Sequence, residues 1–214
     1  MTTIANLELL ETYYEVISRK LLDKFSMGYI KETNSGVFVP SSLNIIHQAF
    51  IHLIDTGVID KNKPFLDAGC GDGRIVALAS SLGIPAWGLE SDEELVALAK
   101  HNLINLKALG VIKESAAIIH RGNFCDDKSY TNMDHQFSDF GTIYNYDNNA
   151  GLLASKIAKE AKPKTVYLLY SGDEIKEEFR GLIFMYDLDL VSNSINTSAA
   201  LEIPQGFVRV YAKE

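Results

Sequence analysis

Cysteine is scarce: Cys70 and Cys125 are the only two in 214 residues, with no CxxC spacing and no histidine cluster beside them. Neither a disulfide framework nor a zinc site is indicated. Long apolar runs are missing too, the longest being about 4 to 6 residues against the roughly 20 that cross a bilayer, so no membrane span is expected. Residues 1–10 lack a basic residue followed by an apolar run and a small-residue cleavage site, and a cytoplasmic location is the expectation. Positive charge is in deficit, with 20 Lys plus Arg against 28 Asp plus Glu and a formal net charge of −8. That balance disfavours attraction to nucleic-acid backbones and suits cationic partners. No 20- to 50-residue period and no low-complexity tract is present, which sets solenoids aside.

What is present is ordinary globular material, 47% hydrophobic and 22% charged. A chain of this length removes roughly 70% of its extended surface from water, enough for a core without staples. Leu7, Leu10, Tyr14, Ile17, Leu21 and Phe25 recur every three or four residues and predict an amphipathic helix that Gly28 ends. After the polar stretch 31–36 and Val37-Phe38-Val39-Pro40, a second helical pattern runs through Leu43, Ile46, Phe50, Leu53 and Ile54 to Gly57. From Pro64 short apolar runs at 65–68, 86–89, 116–119, 142–146 and 166–170 read as strands, alternating with helices at 74–82, 93–109, 149–161 and 173–180. Such alternation implies right-handed crossovers and a parallel sheet covered on both faces. Residues 182–191 and 207–211 look like two strands without a helix between them, an antiparallel pair closing the sheet. The five prolines all fall at proposed boundaries. The expected architecture is an α/β doubly wound, mostly parallel seven-strand sheet with an antiparallel C-terminal strand, divided into an N-terminal helical cap (1–60) and a main domain (61–214).

The most informative segment is Phe65-Leu66-Asp67-Ala68-Gly69-Cys70-Gly71-Asp72-Gly73-Arg74, a strand running into three alternating glycines and then a helix. Glycine there permits tight turning and close approach of backbone to ligand. The dinucleotide fingerprint G-x-G-x-x-G is not met, because Arg74 stands at its sixth position. Asp67 and Asp72 would also repel a pyrophosphate, a conflict that a cationic ligand removes. S-adenosylmethionine carries a sulfonium and an ammonium and no phosphate, so carboxylates near the loop suit it. Glu90 closes the second strand 17 residues beyond Gly73, where a doubly wound fold brings an acid to a ribose. Asn123 and Phe124 follow the third strand, suited to hydrogen-bond the adenine edge and to stack on its face.

On these residues the chain from Pro64 onward resembles the class I, seven-strand S-adenosylmethionine-dependent methyltransferases. The resemblance rests on residues 67–73, on Glu90 and on the Asn123-Phe124 pair. It implies S-adenosyl-L-methionine as cofactor, held by Asp67, Gly69, Gly71, Gly73, Glu90, Asn123 and Phe124. Gly36-Val37-Phe38-Val39-Pro40-Ser41-Ser42, with Gly71-Asp72-Gly73-Arg74-Ile75-Val76, is similar to the seven-strand protein lysine methyltransferases, in which the segment before the first strand closes over the cofactor.

The acceptor is expected outside the carboxyl end of the fourth strand, where Tyr144, Asn145, Tyr146 and Asp147 cluster as candidate catalytic residues. Carbonyl and carboxylate acceptors from Asn145 and Asp147 suit an amine, and the two tyrosine faces tolerate its charge. Strand alternation also allows Tyr144 and Tyr146 to fill core space, with Asn145 facing the other way. Asp92, Glu93 and Glu94 fit either cofactor ligands or a helix cap with acids at a helix N-terminus. His135, in the polar run 126–139, is a candidate base overhanging the site, and that run is either a solvated loop or a recognition lid. No metal is expected. The functional expectation is methyl transfer to a protein lysine, with a small-molecule N- or O-methyltransferase and a non-catalytic cofactor-binding regulatory subunit as alternatives, and a nucleotide-dependent oxidoreductase behind them. The expected partner is a protein or small-molecule acceptor rather than nucleic acid.

Overall fold

Turn chemistry and apolar periodicity place the elements much as the sequence implies. The computed structural model describes residues 2–24, 30–33, 36–113, 116–173, 177–191 and 205–214. Phe25, Gly28 and Pro204 lie outside those residues. Helix α1 (Thr2–Lys24) buries Leu10, Tyr14, Ile17 and Leu21, one face of a 3.6-residue period. A short hairpin follows, β1 (Lys31–Thr33) against β2 (Gly36–Phe38), with Lys31 opposite Phe38. Ser42 caps α2 (Leu43–Asp55) by accepting from the Ile45 N–H.

The main sheet begins with β3 (Phe65–Ala68), buried at every residue as a central parallel strand must be. It is followed by α3 (Arg74–Ser81), β4 (Ala86–Glu90), α4 (Glu93–Ala108), β5 (Ala117–Arg121), α5 (Asp127–Thr131), β6 (Thr142–Tyr146), α6 (Ala150–Glu160), β7 (Val166–Ser171), β8 (Leu182–Val191) and β9 (Gln205–Lys213). The strand order is β5-β4-β3-β6-β7-β9-β8, with β9 antiparallel to both its neighbours and the rest parallel. The chain winds outward from β3 in one direction, then returns to start again at β6. The switch point therefore lies between β3 and β6, where Asp67 is level with Tyr144.

Two cores flank the sheet. One gathers α1 to α4, so the N-terminal helices share their burial with α3 and α4; the other gathers α5 and α6. Two sequence expectations need correction. Residues 177–179 are not helical, so a helix at 173–180 does not form over them. The Glu177 carbonyl there accepts from the Tyr211 hydroxyl (2.6 Å) and from Arg209 (3.4 Å), both on β9, instead of joining a helical ladder. The polar run 126–139 is neither a solvated loop nor a free lid: it holds α5 and a 3₁₀ turn and buries Tyr130, Met133 and Phe137 in the second core. Among the described residues no helix is long and apolar enough to cross a membrane.

Candidate active site

A cavity of about 630 Å³ opens over the carboxyl ends of β3, β4, β5 and β6, at the switch point. Its floor is Ala68 and Gly69 from β3 and its loop, Glu90 and Ser91 from β4, Asn123, Phe124 and Cys125 after β5, and Asn145 to Asn149 from β6 onward. Its roof is the hairpin, through Thr33, Val37, Phe38 and Val39. Phe38 lies on the glycine loop so closely that a Cβ on Gly71 would sit 2.3 Å from the ring. At the other side, a Cβ on Gly36 would meet the Asn148 amide at 2.1 Å, so the hairpin spans from one loop to the next.

The three loop glycines have different tasks. All have positive φ, 88° at Gly69, 53° at Gly71 and 81° at Gly73, a region that penalises side chains. Gly69 borders the cavity, with Phe124 beside it. Gly71 and Gly73 do not border it: Gly71 receives Phe38, and Gly73 lets α4 approach, a Cβ there lying 3.1 Å from that of Ala99.

Three carboxylates lie beneath and beside the loop, Asp67, Asp72 and Glu90, exposed by 2%, 1% and 7%. Asp72 is neutralised by Arg74, whose Nε and Nη2 bond its carboxylate at 2.7–3.1 Å. The negative charge that the sequence places in the loop at Asp72 is therefore offset within the protein by its neighbour. The same guanidinium donates to the Ser41 carbonyl (3.3 Å) and the Ser18 hydroxyl (3.2 Å), tying α1, the root of the roof and the loop together. Sequence reasoning gave Arg74 no role, because two of its partners are 33 and 56 residues away. Asp67 lies behind the cavity wall, and burial, reinforced by the charges of Glu90 and Asp72, pushes its carboxyl well above the usual range. A cation near the loop relieves that cost. Glu90 does reach the cavity; its oxygens accept from the Gly71 N–H (3.0 Å), the Asp92 N–H (2.9 Å) and, at 3.5 Å, the Ser91 hydroxyl, which leaves about one of its roughly four lone-pair positions.

Phe124 and Asn123, the two residues expected to meet an adenine, both border the cavity, but Asn123 spends part of its capacity locally, its Oδ1 accepting from the Cys125 N–H at 2.9 Å. Asp92, Glu93 and Glu94 are outside the cavity lining. Asp92 caps α4 through the Leu95 N–H (3.0 Å), and the acids pair with Lys31, Arg121 and Lys24.

The four candidates at the end of β6 divide by face. Asn145, Tyr146 and Asp147 border the cavity, whereas Tyr144, 1% exposed, does not. Its hydroxyl pairs with that of Ser41 (2.9 Å) and its ring stacks toward Tyr170, so Tyr144 supports the roof's root from within the core. Asn145 is 1% exposed; its Nδ2 donates to the Ala68 carbonyl (2.8 Å), which fixes the amide, and its Oδ1 is buried with no hydrogen-bond partner among the described residues. Asp147 has φ 39°, an uncommon conformation for a residue with a side chain, and accepts from the Ser171 hydroxyl at 3.2 Å. Partial burial, with Asp173 nearby, holds its carboxyl above the ordinary range despite that bond. His135 is not a base at this site: it packs against Trp87, ring centroids 4.5 Å apart, and borders a different cavity with Tyr130 and Phe137.

No protein-family model matches the chain. A stretch of 38 residues is 42% identical to a probable tRNA (uracil-O(2)-)-methyltransferase of Caenorhabditis briggsae; it covers 18% of this chain and only 7% of that protein. Among solved structures, one described under the conversion of a disulfide bond into a thioacetal group during echinomycin biosynthesis matches with TM-score 0.59 and 15% identity, over 94% of this chain and 92% of that one. A glycopeptide N-methyltransferase in complex with S-adenosylhomocysteine matches with TM-score 0.58 and 12% identity, over 82% and 92%. An RNA methyltransferase from Salinibacter ruber, in complex with the same compound, matches with TM-score 0.54 and 20% identity, over 82% and 94%. The chain has the class I methyltransferase fold.

Proposed function

We propose that the protein is an S-adenosylmethionine-dependent methyltransferase that acts on an amine nitrogen, with a protein lysine as the leading acceptor. The observation that carries this reading is the pairing, in one cavity, of Glu90 and the glycine loop on one side with the unpartnered Oδ1 of Asn145 on the other. The fold likeness to methyltransferases supports the cofactor.

The residues fit that cofactor. Gly69 lacks the Cβ that would obstruct close approach, Glu90 retains acceptor capacity for a ribose hydroxyl, and a cation beside the loop favours the ionised form of Asp67, which burial and the neighbouring acids otherwise disfavour. When bound, the cofactor supplies an electrophilic methyl group on a sulfonium. The chain then has little covalent work to do; orienting the acceptor and excluding water are the main tasks. Asn145 Oδ1 accepts a hydrogen bond from an N–H, which orients the nitrogen, while the bond from Nδ2 to Ala68 prevents the amide from turning. A ketone or an ether offers no such donor and leaves Oδ1 buried and unsatisfied, a cost of about 1–3 kcal/mol. Asp147 pairs with the ammonium form of the acceptor and takes up its proton before attack. Tyr146 gives the charged amine an aromatic face.

A small-molecule amine is the second reading, favoured by the hairpin's reach from Gly71 to Asn148, which encloses the cavity. Incubating the protein with methyl-labelled S-adenosylmethionine and cell extract tests both. A labelled protein band whose label is recovered as methyllysine supports the first, and label in a small amine supports the second. Cofactor binding with no labelled product of any kind favours a regulatory subunit, and absence of cofactor binding refutes all three.

A further inference from the structure

Lys31 stands on β1 of the roof, opposite Phe38 in the hairpin register, so both side chains lie on one face of the ribbon. Phe38 goes to Gly71. Lys31 goes to the start of α4, where its ammonium bonds Asp92 Oδ1 at 2.5 Å and Glu94 Oε2 at 2.8 Å. The Lys31–Asp92 pair is only 16% and 19% exposed, which sets it apart from the neighbouring Lys24–Glu94 pair at 57% and 44%. The more exposed pair is screened and contributes little.

Asp92 has two further engagements. Its carboxylate caps α4 through the Leu95 N–H, and its own N–H holds Glu90 Oε1 at 2.9 Å. The other oxygen of Glu90 holds the Gly71 N–H. A closed circuit results: roof strand, Lys31, Asp92, Glu90, Gly71, Phe38 and back to the roof.

We propose that Lys31 is a positioning residue for the cofactor, an ionic clasp that keeps Phe38 seated over the glycine loop and Glu90 aimed into the cavity, and thereby slows cofactor release. The proposal rests on reading the cavity as the S-adenosylmethionine site. The protonation states agree with a charged clasp. Partial burial alone would lower the Lys31 ammonium, and the bonds to Asp92 and Glu94 raise it instead. Burial alone would raise the Asp92 carboxyl, and Lys31 with the Leu95 N–H lowers it.

The test is stopped-flow dissociation of S-adenosylhomocysteine from the full chain, with its equilibrium Kd and the melting temperature of the free protein. Lys31→Met is expected to raise Kd about 10-fold, chiefly through faster dissociation, since a half-shielded pair exceeds an exposed one. Asp92→Asn keeps a helix cap and removes the charge, so it should behave alike. The double variant should be no worse than Lys31→Met alone, because that substitution already removes the bonds to both Asp92 and Glu94. Wild-type dissociation rates in Lys31→Met or Asp92→Asn, or additive losses in the double variant, overturn the clasp. A fall in melting temperature with an unchanged dissociation rate also overturns it, marking the pair as structural only. Failure of the wild-type chain to bind S-adenosylhomocysteine overturns the cofactor reading and the clasp together.

Discussion

Replacing Gly71 by alanine tests the claim that the roof is seated on the glycine loop. Two costs follow from the geometry. The backbone at φ 53° is left-handed, which costs a residue with a Cβ roughly 1–2 kcal/mol. The new Cβ would also lie 2.3 and 2.5 Å from two atoms of the Phe38 ring, so the ring must leave. Phe38 is 9% exposed, and losing part of its burial costs about 1–2 kcal/mol, somewhat less than full exposure of a large apolar side chain. The sum is about 2–4 kcal/mol, or roughly 4–16 °C of melting temperature at this chain length. In a Phe38→Ala background only the backbone cost remains, so Gly71→Ala should then cost about 1–2 kcal/mol less. Equilibrium urea unfolding of the four proteins measures this coupling, and S-adenosylhomocysteine titration of the same set measures its effect on the cavity. Equal costs of Gly71→Ala in both backgrounds would refute the ring contact. A cost near zero in the wild-type background would refute the backbone argument as well.

Other substitutions separate the roles assigned above. Asn145→Ala should leave S-adenosylhomocysteine affinity within about 3-fold and cut turnover by about 100-fold, the order expected on removing one oriented polar group at a reacting centre; unchanged turnover would remove Asn145 from the reaction. Tyr144→Phe deletes only a core hydroxyl pair, so it should cost about 1 kcal/mol of stability and leave turnover within a few-fold; a large loss of turnover at full stability would return Tyr144 to the catalytic set. Asp67→Asn should act with opposite signs on two measurements. Because the folded-state pKa of Asp67 is raised, its protonated form is favoured in the native protein, and its contribution to free-protein stability is lost as pH rises from the ordinary carboxylate range through the folded value. Asparagine removes that loss, so free-protein stability at neutral pH should rise, while S-adenosylhomocysteine affinity should fall about 10-fold with loss of the charge. A lower melting temperature at neutral pH than in wild type would show that the Asp67 charge is compensated within the protein itself.

Local chemistry made much of this protein legible before folding was considered. Strand β3 and the glycine loop could be read from residues 65–73 because an apolar run followed by alternating glycines has few other uses. The helix α4 start was legible to within one residue in Ser91-Asp92-Glu93-Glu94: a capping box there would make Ser91 the cap, and Asp92 takes that place instead. The hairpin β1–β2 escaped a pattern reading because strands of three residues carry too little periodicity. The segment 177–179 was misread because its backbone partner is a side chain on β9, more than 30 residues away in sequence.

Sequence alone determined what depends on neighbours in the chain: the alternation of strands and helices from β3 to β7 apart from α5, the glycine turn, the acid closing β4 and the polar residues closing β6. Tertiary structure decided which side of each faced what. It turned Asp72 away toward Arg74, because Ser18 and Ser41 arrive from distant elements to share the same guanidinium. It put Tyr144 in the core and Asn145 in the cavity, because strand alternation defines two faces but only packing says which of them carries the site. It also laid Phe38 on Gly71 and Lys31 on Asp92, contacts whose cost in chain entropy is met only once the sheet is assembled.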